Sequence, residues 1–286
     1  MHQHAPAAGG HDWLATWSAM YDAERAQAEA IPMPGTPQPD FWAGQATRFA
    51  AAAQRSQQPD GFMRFVLPRL RPADTVLDIG AGSGRYEPLL AGAAAEVLAL
   101  EPSPAMRGHL EQRIAEARLA NVRVGASSWP SGDVAACDVA LAAHVLYGVR
   151  EIGPFLLAMN AVARRECYLL LALRHPSSVV SPFWQRLYGE PRLPLPGALE
   201  CLNALYQLGI AAQLALVPTV NRFSYLDADE ALADLRWRLR APASPTADAT
   251  LRAAIADLLR PDAEGRLAPH EQPGPTAVIW WETKEL

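Results

Sequence analysis

Residues 76–86 read V-L-D-I-G-A-G-S-G-R-Y and constrain the fold of this chain more than any other stretch. The apolar residues around Asp78 predict a buried strand. A glycine then stands at every second position: Gly80, Gly82 and Gly84. Glycine lacks a Cβ and tolerates positive φ, so a ligand can approach the backbone of such a loop closely. The following residues, Arg85 to Ala91, predict a helix whose N-terminal amides face the loop, which indicates a nucleotide-type pocket at the carboxyl end of a parallel strand.

The spacing of the glycines indicates which class of nucleotide ligand the loop binds. A dinucleotide fingerprint requires G-x-G-x-x-G, and its last position is occupied here by Arg85. An acidic residue, Asp78, instead stands two places before G-x-G-x-G. This pattern resembles motif I of the class I S-adenosylmethionine-dependent methyltransferases. The order of predicted elements from Pro68 to Ala172 is similar to that family as well.

The resemblance implies an α/β fold, a Rossmann-like three-layer sandwich around a mostly parallel seven-stranded sheet with an antiparallel last strand. It also implies S-adenosyl-L-methionine as cofactor. Residues 1–67 are expected to form an N-terminal helical cap or lid. Residues 68–286 are expected to form the methyltransferase domain, with insertions at 174–211 and 227–272.

Periodicity places the elements within that frame. Predicted strands cover 75–79, 96–101, 122–125, 138–143, 168–173, 212–217 and 276–281. Predicted helices cover 13–30, 41–57, 61–70, 83–91, 103–119, 152–163, 183–188, 197–208, 227–240 and 250–259. Strands that alternate with helices indicate a parallel sheet.

The charge and composition of the chain disfavour nucleic-acid and membrane partners. The net charge of −5 and the pI of about 5.8 disfavour a protein that binds a nucleic-acid backbone. The apolar run Cys167–Leu173 is too short to span a bilayer, and residues 1–10 do not have the pattern of a signal peptide. Three widely spaced cysteines fit free thiols in a reducing cytoplasm. We expect a cytoplasmic monomer or homodimer, with no membrane or nucleic-acid partner and no metal site.

The cofactor has an ammonium group, a ribose diol and an adenine, and each has candidate partners. Gly80, Ala81, Gly82 and Gly84 would pass beneath its methionine and ribose parts. Asp78 would favour the ammonium, or alternatively would accept the loop amides as a structural aspartate. Glu101 ends the second predicted strand, where a carboxylate can accept two hydrogen bonds from a diol. Its alternative role is that of an acid at a helix N-terminus.

The adenine side is less defined by the sequence. Pro102 is expected beside the ring. The family often has an aspartate directly after the glycine that ends the third strand, and Ala126 stands there. The adenine contact is therefore expected to pass to Ser127 or to a backbone carbonyl. Trp129 would either wall the ring or anchor its own loop in the core.

Candidate acceptor-side residues follow the fourth and fifth strands. His144 and Tyr147 come after the fourth strand, where the methyl group of the cofactor faces the acceptor in the resembled family. His144 is a candidate general base, or alternatively only packs near the cofactor. Tyr147 is a candidate acceptor-orienting hydroxyl. His175 follows the fifth strand and should reach the same edge of the sheet.

Together these features predict methyl transfer to a small-molecule acceptor by in-line displacement, driven mainly by positioning. Neither an H-E-x-x-H metal motif nor a G-x-S-x-G nucleophile elbow is present. Two alternatives remain at this stage. One is an NAD(P)-dependent oxidoreductase, and the other is a protein that binds S-adenosylmethionine without catalysis.

Overall fold

The computed structural model describes residues 10–31, 40, 42, 46–47, 50, 58–218, 223–270 and 274–283. The predicted helix 41–57 lies largely outside these residues. Helix α1 (Trp13–Glu29) forms where predicted, and the Asp12 side chain caps it by accepting a hydrogen bond from the Ala15 N–H at 3.0 Å.

The other elements follow the predicted order. The further helices are α2 (Gly61–Val66), α3 (Glu87–Ala91), α4 (Pro104–Glu116), α5 (Ile152–Val162), α6 (Ser181–Tyr188), α7 (Ala198–Gln207), α8 (Ala228–Arg238) and α9 (Pro245–Leu258). The strands are β1 (Thr75–Ile79), β2 (Glu96–Leu100), β3 (Val122–Gly125), β4 (Cys137–Ala143), β5 (Ala163–Ala172), β6 (Gln213–Val217), β7 (Leu259–Pro261), β8 (Leu267–Pro269) and β9 (Thr276–Glu282).

Within the described residues one seven-stranded sheet has the order β3-β2-β1-β4-β5-β9-β6. Strands β1 to β5 pair in parallel, and β9 runs antiparallel to both of its neighbours. The predicted fold class is therefore confirmed. Because β1 lies between β2 and β4, the strand order reverses beside it. That reversal opens a crevice at the carboxyl ends of the strands, where ligands bind in such sheets.

Alternate residues of each strand face opposite layers of the core. One layer joins Leu77 and Ile79 to α1, α5 and α7, and the Trp17 indole is fully buried there. The other layer joins Val76 to Phe62 on α2 and to the helices that flank β2. The insertions build most of a third apolar cluster, between α6, α8 and α9, and Ala28 of α1 joins it.

Several predicted boundaries were wrong. Helix α3 begins at Glu87 rather than Ser83, because residues 83–86 complete the glycine turn. Strand β5 begins at Ala163, before its apolar run, because an ion pair with Asp74 at 2.5 Å satisfies the charge of Arg165 near the start of the strand. Helix α9 begins at Pro245, after an N-cap at Ser244. The small β7–β8 pair was not predicted.

All three cysteines are buried and unbridged, as expected. Among the helices in the described ranges, none is both long enough and apolar enough to cross a membrane.

Candidate active site

The glycine loop between β1 and α3 is held from below by the second strand. The N–H groups of Gly80 and Ala81 both donate to the Leu100 carbonyl, at 2.8 and 2.9 Å. Gly80, Gly82 and Gly84 have φ values of +76°, +61° and +84°. A side chain is strained in that region, so the loop needs glycine at all three positions.

The three glycines differ in what surrounds them. A Cβ on Gly80 would lie 2.5 Å from Val145 Cγ2, and one on Gly84 would lie 3.0 Å from Leu110 Cδ1. A Cβ on Gly82 would meet no atom of the described residues within 4 Å. Gly80 and Gly84 therefore allow packing against the protein itself, whereas Gly82 borders open space. A ligand can approach the loop at that point.

Glu101 follows β2 and forms hydrogen bonds with the backbone on both sides of the crevice. Its Oε2 accepts the Gly82 N–H at 2.8 Å, and its Oε1 accepts the Ser103 N–H at 2.7 Å. Burial raises the pKa of this carboxyl, and the two amide hydrogen bonds oppose the shift. Each oxygen keeps a further lone pair, which is the capacity that a diol requires.

Asp78 lies under the loop beside a second carboxyl that the sequence analysis missed. Glu87, the first residue of α3, is fully buried, its carboxyl oxygens have no hydrogen-bond partner among the described residues, and its charge acts on Asp78. Burial, followed by the charge of Glu87, raises the pKa of Asp78. Burial also raises the pKa of Glu87 to about 7. An acid at the start of a short helix was the only sequence signal for this residue.

The residues predicted for the adenine lie at the same edge of the sheet. Pro102 is exposed between Glu101 and α4, and Ser127 is half-buried after β3. The Trp129 indole N–H donates to the Phe155 carbonyl at 3.2 Å, and the two rings meet edge to face. Trp129 thus anchors its loop on α5, as one of the two alternatives foresaw.

Two aspartates connect the N-terminal segment to the crevice. Asp40 accepts hydrogen bonds from the Ser103 hydroxyl at 2.8 Å and the Ala105 N–H at 3.2 Å, at the start of α4. Asp60 caps α2, and its carboxylate also binds Arg85 at 2.8 Å. The segment before β1 therefore contacts the crevice on both sides of the glycine loop.

A second cluster lies after β4 and β5. The Tyr147 hydroxyl is 3.1 Å from His144 Nδ1 and accepts the Ala172 N–H at 2.6 Å. The His175 ring lies edge-on to the Tyr147 ring, with 4.7 Å between centroids. His144 has a φ of +60°, which is uncommon outside glycine and often marks functional sites. The structure brings all three predicted acceptor-side residues together.

This cluster adjoins the glycine loop. Val145, the neighbour of His144, provides the atom that a Cβ on Gly80 would strike. Burial, followed by the charge of Arg85, lowers the pKa of His144 to about 4. Burial, followed by the charge of Arg192, lowers the pKa of His175 to about 3. Both imidazoles are therefore neutral at physiological pH.

Comparisons with known proteins agree with this arrangement. A family model described as a methyltransferase domain matches residues 77–171, which include the glycine loop, Glu101 and His144. A search among curated proteins found no match to this sequence.

Solved structures share the fold at low sequence identity. A proposed methyltransferase from Bacillus halodurans has a TM-score of 0.55 at 11% identity, covering 78% of this chain and 97% of that one. The YcgJ protein from Bacillus subtilis has a TM-score of 0.52 at 15% identity, covering 78% and 98%. The magnesium protoporphyrin IX methyltransferase from Synechocystis PCC 6803, crystallised with S-adenosylhomocysteine, has a TM-score of 0.50 at 14% identity, covering 94% and 97%.

The residues of the crevice fit S-adenosylmethionine. The open side of Gly82 leaves room for it, Glu101 keeps acceptor capacity for a diol, and the buried carboxyl pair suits an ammonium. Glycine loop, sheet order and matched domain thus agree: residues 77–171 match a methyltransferase domain, and the sheet around them has the class I fold of S-adenosylmethionine-dependent methyltransferases.

Proposed function

We propose that this enzyme methylates a small-molecule acceptor held between the glycine loop and the cluster of His144, Tyr147 and His175. The observation that carries the proposal is the contact between the two regions. Val145 packs against Gly80, so the residues after β4 adjoin the cofactor loop directly. The acceptor-side cluster is partly buried. A half-buried cluster of this kind suits a small acceptor better than a large polymer.

When bound, S-adenosylmethionine supplies a methyl group on a sulfonium, and transfer is an in-line displacement. We propose that Glu101 holds the ribose diol while Asp78 and Glu87 favour the ammonium. Gly80, Ala81, Gly82 and Gly84 line the path between these two ends. The protein's own contribution is alignment of the reactants and exclusion of water, which can account for most of the rate acceleration.

We propose that residues 1–67 cap this site. The hydrogen bonds of Asp40 to the start of α4, and of Asp60 to the glycine-loop side, support a cap on both flanks of the crevice. The proposal also includes a cytoplasmic enzyme that acts as a monomer or homodimer. The three buried, unbridged cysteines support the reducing compartment.

Calorimetry with S-adenosylmethionine and S-adenosylhomocysteine tests the cofactor site. We expect both to bind, and we expect Asp78→Ala and Glu101→Ala each to weaken binding at least about ten-fold. Unchanged affinity in both variants would refute the assigned contacts. A response of nicotinamide fluorescence without binding of either sulfur compound would instead favour the oxidoreductase alternative.

Transfer itself needs a separate measurement, because a protein can bind the cofactor without catalysis. Methyl-labelled S-adenosylmethionine is incubated with panels of small acids, amines, phenols and oligonucleotides. Labelled small-molecule product supports the proposal. Binding without any labelled product supports the non-catalytic alternative, and labelled oligonucleotide contradicts the small-molecule assignment.

A further inference from the structure

The hydrogen bonds around Tyr147 fix where the His144 ring carries its proton. The Tyr147 oxygen already accepts the Ala172 N–H at 2.6 Å. Its own hydroxyl proton needs an acceptor, and among the described residues His144 Nδ1, at 3.1 Å, is the one within reach. Tyr147 therefore donates to Nδ1. A neutral imidazole has one protonated nitrogen, so His144 carries its proton on Nε2.

The His175 ring has the same tautomer for an independent reason. Its Nδ1 accepts the backbone N–H of Ser177 at 3.1 Å, and the Ser177 hydroxyl lies 2.7 Å from the same nitrogen. A backbone amide can only donate, so Nδ1 is unprotonated. The proton of the neutral His175 ring is therefore on Nε2. Both half-buried histidines thus present an N–H donor on the side of the ring away from their fixed partners.

A ring in this state is a poor general base. Its only lone pair at nitrogen is already occupied by a fixed donor, and both rings resist protonation at neutral pH. To take a proton, either ring would have to break a hydrogen bond and change tautomer. The methyl acceptor of this site should therefore need no base at all.

Two arginines act on the cluster through their charges, and one of them has a hydrogen-bond donor to spare. Arg85 and Arg192 are the cations whose fields reach His144 and His175, respectively. Each arginine forms an ion pair with a carboxylate: Arg85 with Asp60 at 2.8 Å, and Arg192 with Glu24 at 2.6 Å. Nη1 of Arg192 is buried and has no hydrogen-bond partner among the described residues. A buried guanidinium with a donor to spare favours an acceptor oxygen nearby.

We propose that the methyl acceptor is a carboxylic acid, bound as its carboxylate by the Nε2–H groups of His144 and His175. This rests on the proposed function and specifies its substrate class. One carboxylate oxygen accepts the imidazole hydrogen bonds, and the other forms the new bond to the methyl carbon. The carbon–sulfur bond breaks with its electron pair going to sulfur, and the products are a methyl ester and S-adenosylhomocysteine. No proton is released, so no base is required.

Other acceptor classes fit this cluster less well. A phenol, an alcohol or an ammonium must lose a proton during methylation. Two N–H donors also stabilise an oxyanion but repel an ammonium, because neither can accept a hydrogen bond from it. The carboxylate is the common acceptor that is already deprotonated at neutral pH.

Nitrogen-15 correlation spectra of the imidazole rings test the tautomers without cofactor or acceptor. The signals are assigned with His144→Gln and His175→Gln. We expect both histidines to show a protonated Nε2 and an unprotonated Nδ1 at pH 7. Tyr147→Phe should change the tautomer population of His144 and leave His175 unchanged. A protonated Nδ1 in either wild-type ring would overturn the proposal.

Ligand titration tests the substrate class. Protein loaded with S-adenosylhomocysteine is titrated with benzoate and butyrate, and in parallel with benzamide, benzylamine and phenol. We expect a carboxylate to bind most tightly and to move the Nε2–H signals of both rings. His144→Gln keeps a donor and should bind within about three-fold of wild type, whereas His144→Phe should lose about ten-fold. His270→Gln, on an exposed residue, is the control.

The outcomes of these experiments distinguish a failure of the proposed methyltransferase function from a failure of the carboxylate substrate class alone. Failure of S-adenosylhomocysteine to bind would remove the proposed function and the substrate class with it. Its binding without any carboxylate response would remove only the substrate class. Equal carboxylate affinity in wild type and His144→Phe, or tighter binding of the amine or phenol, would also overturn the carboxylate assignment.

Discussion

Burial shifts the pKa values of the ionisable groups in the two halves of the crevice in opposite directions. The cofactor half contains the buried carboxyls of Asp78 and Glu87, whose pKa values burial raises. The acceptor half contains the imidazoles of His144 and His175, whose pKa values burial lowers. Desolvation penalises whichever form is charged, so carboxyls retain protons and imidazoles lose them. The cofactor half is consequently able to release a proton, and the acceptor half is not able to take one.

The two halves of the crevice also differ in the groups whose hydrogen bonds and contacts fix their structure. Backbone amides hold the cofactor half: Gly80 and Ala81 donate to Leu100, and Gly82 donates to Glu101. Side chains hold the acceptor half, through Tyr147 and its ring neighbours. Substitutions in the first half should therefore alter the backbone, whereas those in the second should alter proton positions.

The largest expected effect comes from Gly80→Ala. Its Cβ would stand 2.5 Å from Val145 Cγ2 at a φ of +76°, so we expect a loss of about 2–3 kcal/mol of unfolding free energy. Gly82→Ala has open space and should cost only about 1 kcal/mol, although its methyl group would obstruct the cofactor. Urea unfolding and calorimetry with S-adenosylhomocysteine measure both. Equal destabilisation in the two variants would contradict the distinction between packed and open glycines.

Glu101→Gln should weaken S-adenosylhomocysteine binding by about ten- to a hundred-fold. The new amide would direct its NH₂ group at a backbone N–H that now has an acceptor, which loosens either Gly82 or Ser103. Glu96→Gln is a matched control at the other end of β2, where the side chain is 55% exposed. Calorimetry compares the two, and similar losses in both would argue against a role specific to the crevice.

The carboxyl pair should make cofactor affinity depend on pH. The pair retains a proton in the unliganded protein up to about pH 7, whereas a bound ammonium favours its release. Affinity for S-adenosylhomocysteine should therefore rise with pH, by up to about ten-fold per pH unit, and level off above neutrality. Glu87→Gln should flatten this profile. The Glu87→Gln variant keeps the neighbouring charges of Glu101 and Arg113. If affinity for S-adenosylhomocysteine depends on pH as steeply in this variant as in the wild type, the titrating proton belongs to a group other than Glu87.

The acceptor half should instead affect stability in acid. The pKa of His144 falls from 6.5 in the unfolded chain to about 4 in the folded protein. Its contribution to stability is therefore complete above pH 6.5 and is lost as pH falls toward 4. His144→Gln should reduce that loss by an amount on the order of 1 kcal/mol, measured from urea midpoints at pH 7.5 and 5.

Glu87 changes the stability of the folded protein in the opposite direction over the same pH range. Its pKa rises from 4.5 to about 7 on folding, so its contribution is complete below pH 4.5 and is lost as pH rises through 7. The histidine measurement is therefore best made in a Glu87→Gln background. If the acid loss is the same with and without His144 there, the ring is not held neutral.

The smallest effect is expected from Trp129→Phe. It removes the 3.2 Å hydrogen bond to Phe155 but keeps an aromatic ring, at a cost of about 1 kcal/mol. If Trp129 serves only as an anchor, affinity for S-adenosylhomocysteine should change less than about three-fold. A larger loss of affinity with the same stability would indicate that the indole also walls the adenine.

Local pattern was enough to predict the glycine turn and the order of the seven main strands along the chain. Strands β1 and β3 form over the predicted ranges because their apolar runs and flanking glycines are local signals. The start of α3 was misplaced because a turn with three positive-φ glycines and a helix start look alike in sequence. Strand β5 was predicted too short because the partners of its charged end lie far along the chain, at Asp74.

The sequence by itself determined the family frame, the cofactor loop and the residues at the strand ends, because glycine spacing and apolar periodicity are properties of neighbouring residues. Only the tertiary structure decided that Glu87 meets Asp78, and that Tyr147 and Ser177 fix the protons of two histidines. Proton positions depend on desolvation and on partners brought together by folding, and neither is encoded in the spacing of residues along the chain.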